Sequence, residues 1–493
     1  MKSLTPIEHT PPSNLSTTEL PLSKGSILTL QIDELAFGGK GLARYKKFII
    51  FVNRTIPGQV VKAKVVKKKK NYAEAQVVEI VQDSPDAVTA PCPHFGTCGG
   101  CLFQNLDYKR QLEYKRCQVI DTLQHIGGLE QIKVEPTLPS TNKYFYRNKM
   151  EYSFSDKRWL TTQEIQSSNS IKNKDFALGL HVPGRYDKVI DLKKCFLLSE
   201  ISNDILNEIK TWAKESNLLP YSTSDHSGFL RFLVIREGKN TGQIMINIVT
   251  SDQPESFSKL EKLQKTLCTS FPSITTIVHN INKKKAQIAV GDEEQILFGP
   301  GYIMEKLNRF KFRISANSFF QTNSKQAENL YRNILEWGRF SPDDIVYDLY
   351  SGTGSIAVYI AEQVNKVIAF ELVPQAIEDA KHNCHLNNID NCIFISGDLK
   401  EQLSQPKSLM ARFGKPDKII IDPPRSGMHP ELSAKIVELS PEKIIYVSCN
   451  PATLSRDIKL LCEKQYTLKT VRPVDMFPHT AHCEVIAQLV KIS

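Results

Sequence analysis

From residue 345 onward, short apolar runs alternate with helical stretches, and this alternation constrains the fold more than any other feature. Residues 345–350, 366–371, 393–395, 418–422 and 443–449 each read as a buried strand, and a last strand falls near 485–490. Residues 355–364 and 374–387 read as helices, the second with Pro374 in its first turn. Continuous apolar runs belong to strands covered on both faces. The alternation therefore predicts an α/β domain with a doubly wound parallel sheet. The polar residues gather at the strand ends. Gly352-Thr353-Gly354 follows the first strand, and Glu371 ends the second. Gly397-Asp398 follows the third, Asp422-Pro423-Pro424-Arg425 the fourth, and Cys449 the fifth. All of them fall on the carboxyl edge, where such sheets bind ligands.

Cys449 is the most telling of these. The run Ile444 to Val447 delivers it to the strand end. Asn450-Pro451 stops the strand, because proline lacks an N–H for the ladder, and Thr453 is expected to cap the following helix. A lone cysteine is most often a small buried apolar residue. Its place on the ligand edge favours a nucleophile. Glu371 lies about 20 residues past the first glycine, where an acid can hold a ribose diol, but the third glycine of the dinucleotide fingerprint is missing. Downstream, residues 477–484 offer His479, His482 and Glu484 as bases. Histidine has a suitable pKa, and a carboxylate serves if burial raises its own.

With 493 residues the chain is too long for one core, and two to four domains are expected. No apolar run approaches the ~20 residues of a membrane span. Residues 1–22 are polar and Ser/Thr/Pro-rich and read as a loose tail, so a cytoplasmic protein is expected. Residues 23–82 alternate as several short strands, a pattern that predicts an OB-like barrel. Lys67 to Lys70, with Lys40, Arg44, Lys46 and Lys47, offers either a solvated hairpin tip or a phosphate-binding face, and the net charge of +10 suits a polyanion. Residues 83–305 read as an α+β domain, with strands at 144–154, 177–181, 230–236 and 243–250.

That domain opens with Cys92-x5-Cys98-x2-Cys101. Eleven cysteines in a reducing compartment are thiols, ligands or nucleophiles rather than disulfides. Three so close together point to a metal or an iron–sulfur site. Cys195 is the chosen fourth ligand, because Cys117 falls in a helical stretch that carries it away. Zinc, with His94 as a ligand, is the rival.

Glycine turn, acid, Gly-Asp and Asp-Pro-Pro in this order resemble a Rossmann-like S-adenosylmethionine-dependent methyltransferase, here taken as residues 306–493. Asp422-Pro423-Pro424-Arg425, Ser448-Cys449-Asn450-Pro451 and His479-Thr480-x-His482-x-Glu484 resemble the RNA 5-methyluridine methyltransferase family. Phe319-Phe320-Gln321-Thr322-Asn323 and residues 348–354 match it as well. The resemblance implies that Cys449 is the nucleophile and Glu484 the base. It implies that Gln321, Tyr350, Glu371 and Asp422 line the cofactor and target pocket, with Asp398 a looser match. It implies a [4Fe–4S] cluster on Cys92, Cys98, Cys101 and Cys195. Ser355 departs from the family, which often has Asn there. The barrel resembles a TRAM domain. Barrel plus four cysteines resembles the branch that modifies 23S ribosomal RNA, acting as a monomer on a loop or single-stranded segment. The alternatives are the same chemistry on tRNA, an amino-group methyltransferase, and a non-catalytic iron–sulfur RNA-binding protein.

Overall fold

The structure, a computed structural model, describes residues 22–166 and 174–492; the expected tail at 1–22 lies outside them but for Leu22. The chain forms two compact units, Met1–Ala87 and Val88–Ser493.

The first unit is a six-stranded sheet curled around Leu28, Leu30, Ile50, Val52, Val61 and Ala63. Strand Val60–Lys68 meets Tyr72–Gln82 in a hairpin that carries the lysine run at its tip. Several of the expected phosphate-binding cations are already paired, Lys67 with Glu74 at 3.4 Å among them. Lys40 meets Glu74 at 2.9 Å, and Arg44 meets Asp33 at 3.1 Å. Lys69 and Lys70 stay exposed.

The second unit holds two seven-stranded sheets. The first is mixed and built on Lys149–Ser155, Ala177–Val182, Arg185–Asp191, Leu230–Glu237, Ile244–Thr250, Ile274–Ile281 and Glu293–Phe298. Its first strand starts five residues later than the alternation suggested. Phe145 takes a positive φ of 55°, which no strand accommodates.

The second sheet runs in the order Cys392–Ser396, Lys366–Glu371, Ile345–Leu349, Lys418–Ile421, Lys443–Ser448, Glu484–Lys491, Tyr466–Val474. Its first five members pair in parallel, but Glu484–Lys491 runs against both of its neighbours, so the sheet is not wholly parallel. The strand Tyr466–Val474 escaped the sequence reading because its exposed Thr467 and Lys469 break the apolar run. The hairpin Tyr302–Leu307 and Phe310–Ser315 packs Ile303, Leu307 and Phe312 against Val346 and Ile420, so a division after residue 305 cuts through this core. The helix Tyr108–His125 packs into the cluster of Ile458 and Val471 through Val119 and Leu123, and so joins the second sheet, although it lies between the cysteine loop and the first sheet in sequence. No helix among the described residues is long and apolar enough to cross a membrane.

Candidate active site

Strand order reverses between Ile345–Leu349 and Lys418–Ile421, and the crevice at such a switch point is where doubly wound sheets take ligands. The turn after Ile345–Leu349 is tightly shaped. Tyr350 adopts φ +66°, an uncommon value for an aromatic residue. Gly352 at φ +55° faces open space where a side chain would stand. Gly354 at φ +73° has no such room, since a Cβ there would meet Ala380 at 2.9 Å. The Glu371 carboxylate accepts the N–H groups of Gly352 at 2.9 Å and Val373 at 2.8 Å. Each of its oxygens keeps a second lone pair for a ligand hydroxyl. Asp398 is exposed and spends one oxygen on the Lys400 amide at 2.8 Å, as the cap of a short helix. Ser355 exchanges a hydrogen bond with the Tyr331 hydroxyl at 2.9 Å.

Gln321 is buried, and its carbonyl accepts the Asn148 side-chain amide at 2.8 Å. The same Asn148 nitrogen donates to the Ser324 hydroxyl at 2.9 Å. The Thr353 hydroxyl donates to the Phe319 carbonyl at 3.4 Å, which draws this segment onto the glycine turn. Phe319 itself is 67% exposed, unusual for a large apolar side chain beside a crevice.

Cys449 and Glu484 meet through strand register. Ser448 pairs with Val485, so the next step carries Cys449 opposite Glu484. The helix after Cys449 is capped by Asn450, whose side chain accepts the Ala452 amide at 3.1 Å, with Pro451 in the first turn. This corrects the expectation for Thr453, whose hydroxyl donates to the Asn450 carbonyl at 3.1 Å instead. An extended Asn preceding a proline is already set up to cap, which leaves Thr453 inside the helix.

The electrostatics are those of crowded acids. Burial, then Glu484 and Asp422, push the Cys449 thiol up to about 11, while the Arg425 guanidinium pulls it down. Burial raises Asp422 to about 7. Burial and then Asp422 hold Glu484 well above the usual carboxylate range, against the pull of Arg425. Asp348 is fully buried, and the Ala357 amide is the one group near enough to ease its carboxyl, without a full hydrogen bond. Burial and then the charges of Asp422 and Glu371 push its pKa well above the usual carboxylate range. The sequence reading quoted Asp348 and Arg425 inside motifs without giving either a role. An acid inside the apolar run 345–349 was the available signal, because a buried carboxyl without partners is costly.

The two histidines separate. His482 is exposed, and His479 is buried. Burial presses the His479 pKa down to about 4, so it is neutral near pH 7.

Cys92, Cys98, Cys101 and Cys195 line one small cavity. Burial, with the neighbouring cysteines adding to it, pushes the Cys101 thiol up to about 12. The donor chemistry is soft sulfur, which suits zinc or iron–sulfur. Among the described residues, however, no group of three or more His, Cys, Asp or Glu is placed to hold a metal ion. His94 spends its Nε2 on the Lys193 amide at 3.0 Å, which removes that nitrogen from any zinc site. A cleft of about 990 Å³ is lined by Gly100, Arg147, Lys149, His181, Arg185 and Thr322.

Comparison with known proteins agrees with this architecture. Residues 275–492 match the family described as tRNA (uracil-5-)-methyltransferase, and residues 21–78 match the TRAM domain. An uncharacterized RNA methyltransferase of Chlorobaculum tepidum is 41% identical over 97% of this chain and 99% of its own length. One of Bacteroides thetaiotaomicron is 40% identical over 92% of this chain and 99% of its own. The crystal structure of the Pyrococcus abyssi tRNA (uracil-54, C5)-methyltransferase in complex with S-adenosyl-L-homocysteine superposes with a TM-score of 0.72. It is 29% identical and covers 94% of this chain and 99% of its own. A TRAM barrel, a sheet of methyltransferase order and relatives matched end to end leave one assignment: the chain belongs to the S-adenosylmethionine-dependent RNA (uracil-5-)-methyltransferases.

Proposed function

We propose that the chain methylates C5 of a uridine in a loop or single-stranded segment of 23S ribosomal RNA, by covalent catalysis through Cys449. The register that sets Cys449 opposite Glu484, with Asp422 and Arg425 alongside, carries this reading. Pyrimidine C5 is a poor nucleophile. Addition of the Cys449 thiolate to C6 turns the ring into an enolate whose C5 takes the methyl group from the sulfonium. Glu484 then removes the C5 proton. The electron pair of that C–H bond restores the C5–C6 double bond and expels the thiolate.

Gln321, Tyr350, Glu371 and Asp422 hold the cofactor and the target base, with Asp398 at the margin. The crowded acids support cation binding, since a sulfonium placed among Asp348, Asp422 and Glu484 offsets the repulsion that raises their pKa values. The cleft beside Thr322 gives room for nucleotides flanking the target, and the barrel supplies further phosphate contacts. The enzyme acts as a cytoplasmic monomer.

A tRNA substrate is the second reading. The Pyrococcus abyssi tRNA enzyme matches this chain over nearly its whole length, so barrel plus cysteine loop does not by itself separate the two RNAs. Mapping 5-methyluridine in ribosomal RNA and tRNA from cells with and without the gene decides between them. Loss of a ribosomal site alone supports the first reading, and loss of a tRNA site alone replaces it with the second.

Cys92, Cys98, Cys101 and Cys195 are proposed to hold a [4Fe–4S] cluster. Their convergence on one cavity supports this. Protein purified without oxygen is expected to be brown, with about four irons per chain. Cys195→Ser should lower that content. Zinc without iron in the anaerobic preparation rejects the cluster.

The pH dependence follows from the acids. Glu484 must be ionised to accept a proton, and its pKa is raised, so turnover is expected to fall as pH drops through that raised value. Asp422→Asn removes a charge that raises both Glu484 and Cys449, and should move the acid limb of kcat to lower pH. Arg425→Gln removes a charge that lowers both, and should move it to higher pH. Superimposable limbs in all three proteins would show that neither group sets the profile.

A further inference from the structure

His479 precedes the proposed base by five residues and is held by the cysteine loop and the helix after it. Its carbonyl accepts the N–H groups of Leu102 at 2.8 Å and Phe103 at 3.0 Å, the two residues that follow Cys101. Its own N–H donates to Gln111 Oε1 at 3.1 Å, and its Nδ1 lies 3.2 Å from Gln111 Nε2. Gln111 is 1% exposed and is itself fixed, since its Nε2 also donates to the carbonyls of Phe103 at 2.9 Å and Leu106 at 2.8 Å. The His479 ring stacks on Tyr144 with centroids 4.4 Å apart. Just upstream, the Tyr146 hydroxyl donates to the Pro478 carbonyl at 3.2 Å, and Lys115 donates to the Phe477 carbonyl at 3.0 Å.

These bonds hold His479 at φ +64°, a left-handed conformation that a non-glycine residue keeps only where its surroundings impose it. From this fixed point the chain turns through Thr480–Cys483 into Glu484, the first residue of its strand. An enclosed histidine whose backbone carries three of these bonds, with two more on the carbonyls just upstream, has the features of a strut rather than of a proton acceptor.

We propose that Gln111, together with the Leu102 and Phe103 amides, is a positioning device that sets the Glu484 carboxylate against the C5 proton. It thereby couples the cysteine loop to one step of the reaction. The inference rests on the reading of Glu484 as the base. Thiolate addition and methyl transfer do not use Glu484. Removal of the C5 proton, with return of its electron pair to the ring and expulsion of the Cys449 thiolate, does. A displaced strut therefore slows the last step and spares the earlier ones. Misplacement by about 1 Å costs on the order of 10²-fold in such a transfer.

The test uses full-length Gln111→Ala, and Tyr146→Phe as a variant that loses only one hydroxyl. Each is run in single turnover with RNA bearing [5-³H]uridine and with cofactor labelled in the methyl group. Methyl incorporation is expected to stay near the parent rate. Tritium release should slow by about 10- to 100-fold in Gln111→Ala, and by less in Tyr146→Phe, with methylated RNA bonded to Cys449 meanwhile. Equal slowing of both signals, or of neither, overturns the proposal. Glu484→Gln, run alongside, separates the two levels of the argument. If it releases tritium normally, the base assignment fails and the positioning role with it. If it traps RNA while Gln111→Ala releases tritium normally, only the positioning role fails. Should Gln111→Ala not fold, the same ratio in Tyr146→Phe decides.

Discussion

Cys449→Ala is expected to lower methyl transfer by on the order of 10⁴-fold or more, the scale seen when a covalent nucleophile is removed, while cofactor binding survives. The thiol sits at the carboxyl end of Lys443–Ser448, and the residues proposed to hold the cofactor, Gln321, Tyr350, Glu371 and Asp422, lie outside that strand. Glu484→Gln is expected to fail differently. The thiolate still adds and the methyl group still transfers, but no carboxylate takes the C5 proton, and elimination cannot precede its loss. A methylated protein–RNA adduct should therefore survive denaturing electrophoresis in Glu484→Gln. It should be absent from Cys449→Ala and from the double variant. Methylation by Cys449→Ala would end the covalent mechanism. Normal turnover by Glu484→Gln, with trapping in a histidine variant, would move the base while leaving the nucleophile. The geometry speaks against His479, which is buried, neutral and bound through its backbone on both sides.

The largest effect on stability is expected at Asp475. Lys115 Nζ donates to it at 2.5 Å and the Tyr108 hydroxyl at 2.7 Å, and Lys115 and Asp475 are 2% and 0% exposed. Asp475→Asn leaves the Lys115 ammonium buried and uncompensated, a change that costs about 3–5 kcal/mol. Tyr108→Phe removes one hydrogen bond from the same carboxylate and should cost about 1–2 kcal/mol. Lys115→Met in the Asp475→Asn background should recover much of the loss, because it removes the stranded charge along with its partner. Urea unfolding of the three variants measures this. A loss below about 1 kcal/mol for Asp475→Asn would show that water reaches the pair. Since the pair ties the helix Tyr108–His125 to the segment leading to Glu484, its rupture should also slow turnover.

The sequence alone determined whatever is written in runs and local punctuation. The apolar runs at 345–349, 366–371, 418–421 and 443–448 became strands almost to the residue, because burial on both faces demands continuous hydrophobicity. Gly352, Glu371, Asp422 and Cys449 fell on one edge because each follows its strand by at most a few residues, and strand direction fixes the rest. The curled barrel was legible from alternation and turns in the same way.

Tertiary structure decided what depends on pairing between distant segments. Nothing local marks Glu484–Lys491 as antiparallel to Lys443–Ser448, yet that pairing brings Glu484 to Cys449. The strand Tyr466–Val474, half-exposed and polar on one face, owes its existence to its neighbour in the sheet. His479 looked like a base because the chain shows its chemistry and hides its surroundings. Its low pKa and its bonds to Leu102, Phe103 and Gln111 come from residues more than 360 positions away. The same holds for the raised pKa values of Asp348, Asp422 and Glu484. Each is an ordinary acid in the sequence, and only burial in the folded chain, with other acids near, raises its pKa.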